Sequence, residues 1–480
     1  MRVIVDLPQG AAKQIVGHMN EQAKFLSGSL MRHITVMAMT SSVGLMAVFL
    51  VDFIDMIFIS MLGKAELAAA VGYAGAILFF TSSFGIGMAI AGGALVARSL
   101  GEGDEVLAQR RATNVLIFGF VFGAVFAALV WFNLAWIVGL VGATGQTAEL
   151  AISYLSIIIP SLPLLLVGMV GGAILRAHGD ARRSMTATIV GALVNAVLDP
   201  ILIFGLGMEL QGAAWASVAA RAAIGVTALV PIVRHYGGFG RPDLASMLPD
   251  LRPVMIIAFP AILTQLATPV GQAYVTRAMA EFGEDAVAGM AIVGRLTPVA
   301  FAIIFALSGA IGPVIGQNFG AGQTDRVKGA FREGLIFTGA VVIVVSGLLF
   351  AARPLLEMLF ALDGQARTLV FLFAGPLSLM WFFNGMIFVS NAACNNMGHP
   401  FYSTLVNWGR HTIGTIPFVI VFSAWFGAGG VLVGQAVGGV LFGLVAFVVA
   451  YRIMVSGGGD IGDDGLQKQA RVFGWMHRNR

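Results

Sequence analysis

Three carboxylates stand where carboxylates are costly. Asp52 and Asp55 fall inside the largely apolar stretch 33–61, and Asp199 inside the stretch 184–206. At the centre of a membrane helix each acid costs roughly 3 kcal/mol, so an acid kept there is a functional candidate by default. Asn195 precedes Asp199 by one helical turn and shares its face, where an amide can donate to a carboxylate or coordinate an ion. Pro200 follows at once; it removes a backbone donor, tends to bend the helix and leaves carbonyls free to join a cavity. Two acids sharing a site out of water repel when both are charged, which suits reversible protonation. The competing reading is structural, with the acids held by hydrogen bonds or, for Asp52 above all, by Arg221 at similar depth on the sixth apolar stretch.

The elements that carry these residues are membrane helices. Of 480 residues, 58% are hydrophobic and only 11% charged, against roughly 25% charged in soluble domains. Twelve spans are expected, near 33–61, 67–97, 112–139, 148–175, 184–206, 212–233, 254–280, 286–316, 334–352, 366–393, 401–425 and 429–453. Barrel strands would alternate polar and apolar residues, whereas a stretch such as Val341 to Ala352 is apolar all round. Lysines and arginines crowd the tails and the loops after even-numbered spans, with only Lys64 and Arg353 opposite, which places both termini in the cytoplasm and the chain in the inner membrane. Helices one and five then run outward together, so Asp55 and Asp199 reach similar depth and can meet.

The chain repeats itself. A shift of 219 positions (320 − 101 = 219) pairs Gly101 with Gly320, and the same shift pairs Gly75 with Gly294, Gly93 with Gly312, Gly103 with Gly322, Gly179 with Gly398 and Leu116-Ile117-Phe118 with Leu335-Ile336-Phe337. Six spans per half is an even number, so the halves insert in parallel about an axis normal to the membrane, with a binding cavity between them. The expected organisation is a cytoplasmic segment 1–30, an N-lobe 31–240, a C-lobe 241–456 and a basic cytoplasmic tail 457–480 on the lipid surface. Scaffold and charge part company here: Asp52, Asp55 and Asp199 map onto Gly271, Tyr274 and Phe418.

Other chemistry finds little support. Cys394 is the single cysteine, the seven histidines show no metal-ligand spacing, and no Gly-x-x-x-x-Gly-Lys-Ser/Thr string offers an ATP site. No cofactor, nucleic acid or ATPase subunit is therefore expected, only small organic substrates, lipid and a coupling ion, and a monomer. The 22 methionines and 35 phenylalanines could line an adaptable cavity for apolar cations, though most are packing or lipid-facing residues.

Particular strings resemble a known family. Val51-Asp52-Phe53-Ile54-Asp55-Met56-Ile57-Phe58-Ile59 with Leu67-Ala68-Ala69-Ala70-Val71-Gly72 is similar to the first-helix signature of the multidrug and toxic compound extrusion (MATE) transporters. Arg176-Ala177-His178-Gly179-Asp180, Asn195-Ala196-Val197-Leu198-Asp199-Pro200 and Gly212-Ala213-Ala214 resemble its fourth-to-sixth-helix block, and Gly312-Pro313-Val314-Ile315-Gly316-Gln317-Asn318-Phe319-Gly320-Ala321-Gly322 its second-lobe signature. The resemblance implies an all-α polytopic fold of two six-helix lobes in a V, and export of organic, often cationic, molecules by alternating access against inward protons or sodium. Within the branch named for a DNA-damage-inducible member, Asp55, Tyr154, Asn195 and Asp199 match the first-lobe coupling cluster, a sodium ion being held by Asp55, Asn195 and Asp199. Ser217 stands where a threonine is usual, Asp52 where many relatives have Asn, and Gly172 where some have another cluster Asn; these departures leave the ion open. A lipid-linked saccharide flippase of the same superfamily is the alternative, although away from the span ends, where Arg367 and Arg452 sit, only Arg221, Arg277, Arg295 and Arg410 supply positive charge within spans.

Overall fold

The computed structural model describes residues 23–458, and among them every regular element is a helix. The expectations for the rest of the N-terminal segment and for the basic tail fall outside the described residues. The first half of the chain forms α1 (Leu30–Met61), α2 (Ala65–Gly101), α3 (Glu105–Phe132), α4 (Gly145–Ile158 and Leu162–Ala177, joined by the 3-10 turn Ile159–Ser161), α5 (Ala181–Pro200, continued by the π turn Ile201–Gly205) and α6 (Glu209–His235). The second half forms α7 (Leu244–Ala280), α8 (Glu284–Ala300 and Ala302–Gly320), α9 (Thr324–Ala351), α10 (Gly364–Leu377 and Trp381–Asn396), α11 (Pro400–His411, then 416–426) and α12 (428–455).

Ten segments are long and apolar enough to cross a membrane, and the bent α10 makes eleven, with 400–455 taken as one. That last segment is two passes. Its 40-residue stretch Ile416–Val455 would be about 60 Å long, twice the hydrocarbon thickness. Gly427 breaks it with φ 59° and ψ −140°. A side chain at Gly430, Gly434 or Gly438 would overlap Phe422, Phe418 or Gly414 respectively, the ladder of an antiparallel hairpin packed backbone to backbone. Twelve spans result, as expected.

Several spans expected to be continuous are broken. In α8 the break falls at Phe301, three residues after Pro298, where the Phe301 ring stacks on Trp381 at 4.6 Å. The halves of α10 meet at 60° beyond non-helical Ala374 and Gly375, just before Pro376. In α11 the helix stops at His411 and restarts at Ile416. The start of α7 also differs, at Leu244 rather than near 254, because four internal prolines bend the helix without ending it. Neighbouring donors support its backbone: Thr404 Oγ1 donates to the Pro260 carbonyl at 2.7 Å and Trp408 Nε1 to that of Leu263 at 2.9 Å.

The repeat governs the architecture. Shifted by 219, helix 105–132 falls on 324–351, the short surface helix Leu134–Leu140 on Arg353–Leu359, and the ends at 101, 145, 177 and 181 on those at 320, 364, 396 and 400. Left-handed turn glycines recur likewise, Gly103 with Gly322 and Gly179 with Gly398. Each half builds its own apolar core, and the leading helices cross over. The first turns of α1 (Ile34, Met37, Ala38) pack into the core of the second lobe, while Val254, Ile257 and Ala258 of α7 pack into that of the first.

The lobes close on the face that carries both described chain ends. A side chain at Gly101 would overlap the backbone of Gln317, and one at Gly320 that of Arg98; since 98 and 317 also differ by 219, the crossing is a two-fold contact of α2 on α8. Gln317 fastens it by donating to the Ala177 carbonyl at 2.7 Å and accepting from the Phe25 amide at 2.9 Å. Arg326 and Asn318 donate to the Phe25 carbonyl at 2.8 and 3.1 Å, and Arg98 lies 5.0 Å over the Phe319 ring.

Between α4 and α5, Gly179 takes a φ of 74°, the left-handed region glycine enters without strain. Asp180 then caps α5, accepting from the Arg183 amide at 3.1 Å, the Arg183 guanidinium at 2.6 Å and the Tyr236 hydroxyl at 2.7 Å. Burial alone would raise its carboxyl; these donors outweigh burial and hold it below the usual carboxylate range.

Two predictions follow from this packing. Gly101→Val and Gly320→Val should each cost about 1–3 kcal/mol in thermal unfolding of the purified protein, while Gly139→Ala, which meets open space, should move stability by less than about 0.5 kcal/mol. Asp180→Ala should cost about 1–2 kcal/mol near neutral pH. Because the folded carboxyl titrates lower than the unfolded one, the difference from wild type should shrink as pH falls below about 4, where the unfolded group and then the folded group take up a proton.

Candidate functional site

The membrane acids meet around one amide. Asn195 Nδ2 on α5 donates to Asp199 Oδ2 at 2.6 Å and, across to α1, to Asp55 Oδ2 at 3.0 Å and Oδ1 at 3.2 Å. The Asp55 and Asp199 carboxyls are thereby held side by side, a pair that a proton on one of them stabilises. Asp199 is wholly buried and Asn195 nearly so, whereas Asp55 is half-buried. The second oxygen of Asp199, Oδ1, is buried without a donor. An unsatisfied carboxylate oxygen in such a place is a vacant acceptor.

Local chemistry sets this arrangement. The i, i+4 spacing stacks Asn195 under Asp199. Pro200 lacks the amide that would bond the Ala196 carbonyl, and the helix widens directly after it into the π turn Ile201–Gly205. At Gly212 a side chain would overlap the backbone of Leu202 and Ile203, so the Gly212-Ala213-Ala214 string brings α6 against that turn. Next to the acids, Tyr154 of α4 is buried, with Ser217 of α6 beside it. Five of the six residues singled out from sequence, Asp55, Tyr154, Asn195, Asp199 and Ser217, therefore form one neighbourhood.

Asp52 stands apart. It is exposed, one helical turn before Met56, and no hydrogen bond or ion pair joins it to Arg221. That arginine points elsewhere, donating to the Ile158 carbonyl at 3.1 Å and Ser161 Oγ at 2.9 Å. The 3-10 turn after Ile158 leaves this carbonyl to side-chain donors. Across from Asp52, Arg295 of α8 approaches α1 through Met56 Sδ at 3.6 Å.

Gln317, Asn318 and Phe25, which fasten the closed face, are residues to which the sequence alone assigned no role. Their only signal was the polar pair inside the apolar string 312–322. A second polar cluster was also missed: Asp250, buried, accepts from the Arg110 fork at 3.0 Å twice and from Asn114 at 2.7 Å, fixing the start of α7 to α3.

Comparison with known proteins agrees with this fold. The MatE family profile matches residues 41–201 and again 260–425, and the two matches begin 219 positions apart (260 − 41 = 219). The chain is 28% identical over 449 residues to the FAD transporter of Shewanella oneidensis, covering 91% of this chain and 97% of that protein. It is 23% identical over 435 residues to the multidrug export protein MepA of Staphylococcus haemolyticus, covering 89% and 95%. Among solved structures, the outward-facing conformation of a multidrug resistance MATE transporter superposes with a TM-score of 0.85 at 21% identity, over 91% of this chain and 98% of that one. A variant of the Vibrio cholerae MATE transporter VcmN gives 0.84 at 20% identity, over 90% and 98%.

The bridging amide makes a differential prediction. Asn195→Ala should lower thermal stability by about 1–3 kcal/mol, the cost of stripping a donor from buried carboxyls. Asp52→Ala, at an exposed group, should change it by less than about 0.5 kcal/mol.

Proposed function

This chain belongs to the MatE family of membrane transporters, and from that premise we propose that it is a secondary active exporter, driving organic small molecules outward in exchange for protons or sodium. The observation that carries this reading is the Asn195 amide shared by two carboxyls from different helices. A proton or a sodium ion arriving there neutralises one carboxyl, and the vacant Asp199 Oδ1 offers a sodium ion an oxygen beside Asp55 and Asn195. Tyr154, with Ser217 beside it, borders the same acid pair. Asp52 faces the cleft, where it would meet a cationic group of the substrate rather than the coupling ion.

The driving force is adequate. One charge entering across 100 mV supplies about 2.3 kcal/mol, and each pH unit about 1.4 kcal/mol. No cofactor and no ATPase partner enter this scheme, and a monomer holds the whole pathway. The lysine and arginine bias of the loops supports an inner-membrane orientation with both termini cytoplasmic, so that the closed face is cytoplasmic and the cleft opens outward. The names of the relatives, one a multidrug export protein and one an FAD transporter, favour organic molecules of drug or nucleotide size.

The test is uptake of ethidium into inverted vesicles under imposed proton and sodium gradients. Wild type should accumulate it under one gradient, and Asp55→Asn and Asp199→Asn, normally expressed, should each lose at least about nine-tenths of the gradient-driven flux, a loss of roughly 1.4 kcal/mol or more in coupling. Flux unchanged in both variants would sink the assignment of these carboxyls, and no ethidium flux in wild type would turn the reading toward a flippase.

A further inference from the structure

The chain crosses the seam between the lobes before its first membrane helix begins. Ahead of α1, residues 24–28 form a strap over the closed face: Lys24–Leu26 make one 3-10 turn, and Gly28 takes a φ of 76°. So short a turn has little stability of its own, and its place is set by its partners.

On the second-lobe side the hold is polar. The Phe25 amide donates to Gln317 Oε1 at 2.9 Å, the Phe25 carbonyl accepts from Arg326 at 2.8 Å and Asn318 at 3.1 Å, and the Gly28 carbonyl accepts from Arg326 at 3.2 Å. Arg326 is itself held by Asn318 Oδ1 at 2.9 Å. His33, in the first turn of α1, fixes the strap to that helix: its Nε2 lies 2.8 Å from the Ser27 carbonyl and its ring 5.3 Å from that of Phe25.

On the first-lobe side the contact is apolar. Phe25 is 2% exposed and shares an apolar cluster with Ala181 of α5 and Ile315 of α8. A side chain at Gly179 would come within 3.1 Å of Lys24 Cδ and 3.2 Å of Phe25 Cζ, so the glycine turn before α5 lies directly against the strap. Among the described residues, the hydrogen-bonded link from here to the first lobe runs through Gln317, which donates to the Ala177 carbonyl at 2.7 Å.

We infer that residues 24–28 are a latch on the closed face: fixed to the second lobe by Gln317, Asn318 and Arg326, they seat Phe25 against the α4–α5 turn of the first, and the lobes part between the two. The imbalance of contacts places the plane of parting. Withdrawing Phe25 from Gly179 and Ala181 breaks the bond from Gln317 to Ala177, whereas pulling the strap off the second lobe would strip an amide and two carbonyls of their partners, the more costly change. The latch deepens the export reading and rests on it, since an exporter must open this face to load its substrate.

Labelling kinetics on the purified full-length protein test the latch without reference to transport. Ala97 is wholly buried in the α2–α8 crossing, its Cβ 3.0 Å from where a side chain at Gly316 would begin. Ala97→Cys in a Cys394→Ala background is therefore a reporter of parting, read by its rate of reaction with a charged maleimide. Phe25→Ala should raise that rate at least about tenfold, because it empties the seat between the lobes. A staple should do the opposite. The Cβ of a side chain at 179 would lie 3.4 Å from that of Lys24, close to the disulfide spacing of about 3.5–4.5 Å, so the oxidised pair Lys24→Cys, Gly179→Cys should slow the reporter at least about tenfold. Strain from a side chain at the left-handed Gly179 would loosen the turn and speed labelling, so slowing reports the staple.

In inverted vesicles the stapled protein should lose ethidium uptake and regain it on reduction. A reporter rate unmoved by the staple or by a folded Phe25→Ala protein, or full uptake through the stapled protein, would overturn the latch. Labelling that responds as stated where wild type moves no ethidium would leave the latch standing and place the error in the export reading.

Discussion

A carboxylate buried in a membrane needs a donor, and here two carboxylates depend on one. The Asn195 amide has two hydrogens and serves three oxygens of Asp55 and Asp199, so the site is short of donors by construction. Much of the first lobe serves to hold α1 and α5 at this separation: the Gly179 turn and Asp180 cap start α5, the Pro200 and π turn end it, and Gly212 seats α6 against that end.

The same logic of close backbone approach shapes the closed face. Glycine at 101 and 320 lets α2 and α8 cross at contact distance, and the repeat makes that crossing symmetric. Gln317 then satisfies two chain segments at once, the Ala177 carbonyl and the Phe25 amide. Because α1 begins in the core of the second lobe and carries Asp55 in the first, the acid pair and the closed face are joined by a single helix. Occupancy at one end and packing at the other therefore share a physical connection.

Much of this was legible in the sequence because it is local or periodic. Apolar length, loop charge and the shift of 219 give the spans and the lobes, and helix direction alone places Asp55 and Asp199 at one depth. The i, i+4 relation of Asn195 and Asp199 needs no tertiary information. What escaped depends on distant approach. Gln317 meets Phe25 across 292 positions and Ala177 across 140, and nothing near it announces either partner. Arg221 and Asp52 matched in depth, yet the arginine's acceptors come from the 3-10 turn in α4, a local irregularity that hydropathy does not register. The breaks in α8, α10 and α11 escaped for the same reason: proline and glycine mark many bends in membrane helices, and only packing decides which of them open.

The proposed coupling requires that an ion held by Asp55, Asn195 and Asp199 leave as substrate binds toward Asp52. The most direct measurement is the release of protons or sodium from the purified protein when ethidium is added, in weakly buffered solution with electrodes for both ions. The account predicts release of about one cation per ethidium bound, as charge balance at a donor-poor acid pair requires, and none from the double variant Asp55→Asn, Asp199→Asn. Ethidium binding with no ion released, or release undiminished in the double variant, would contradict it.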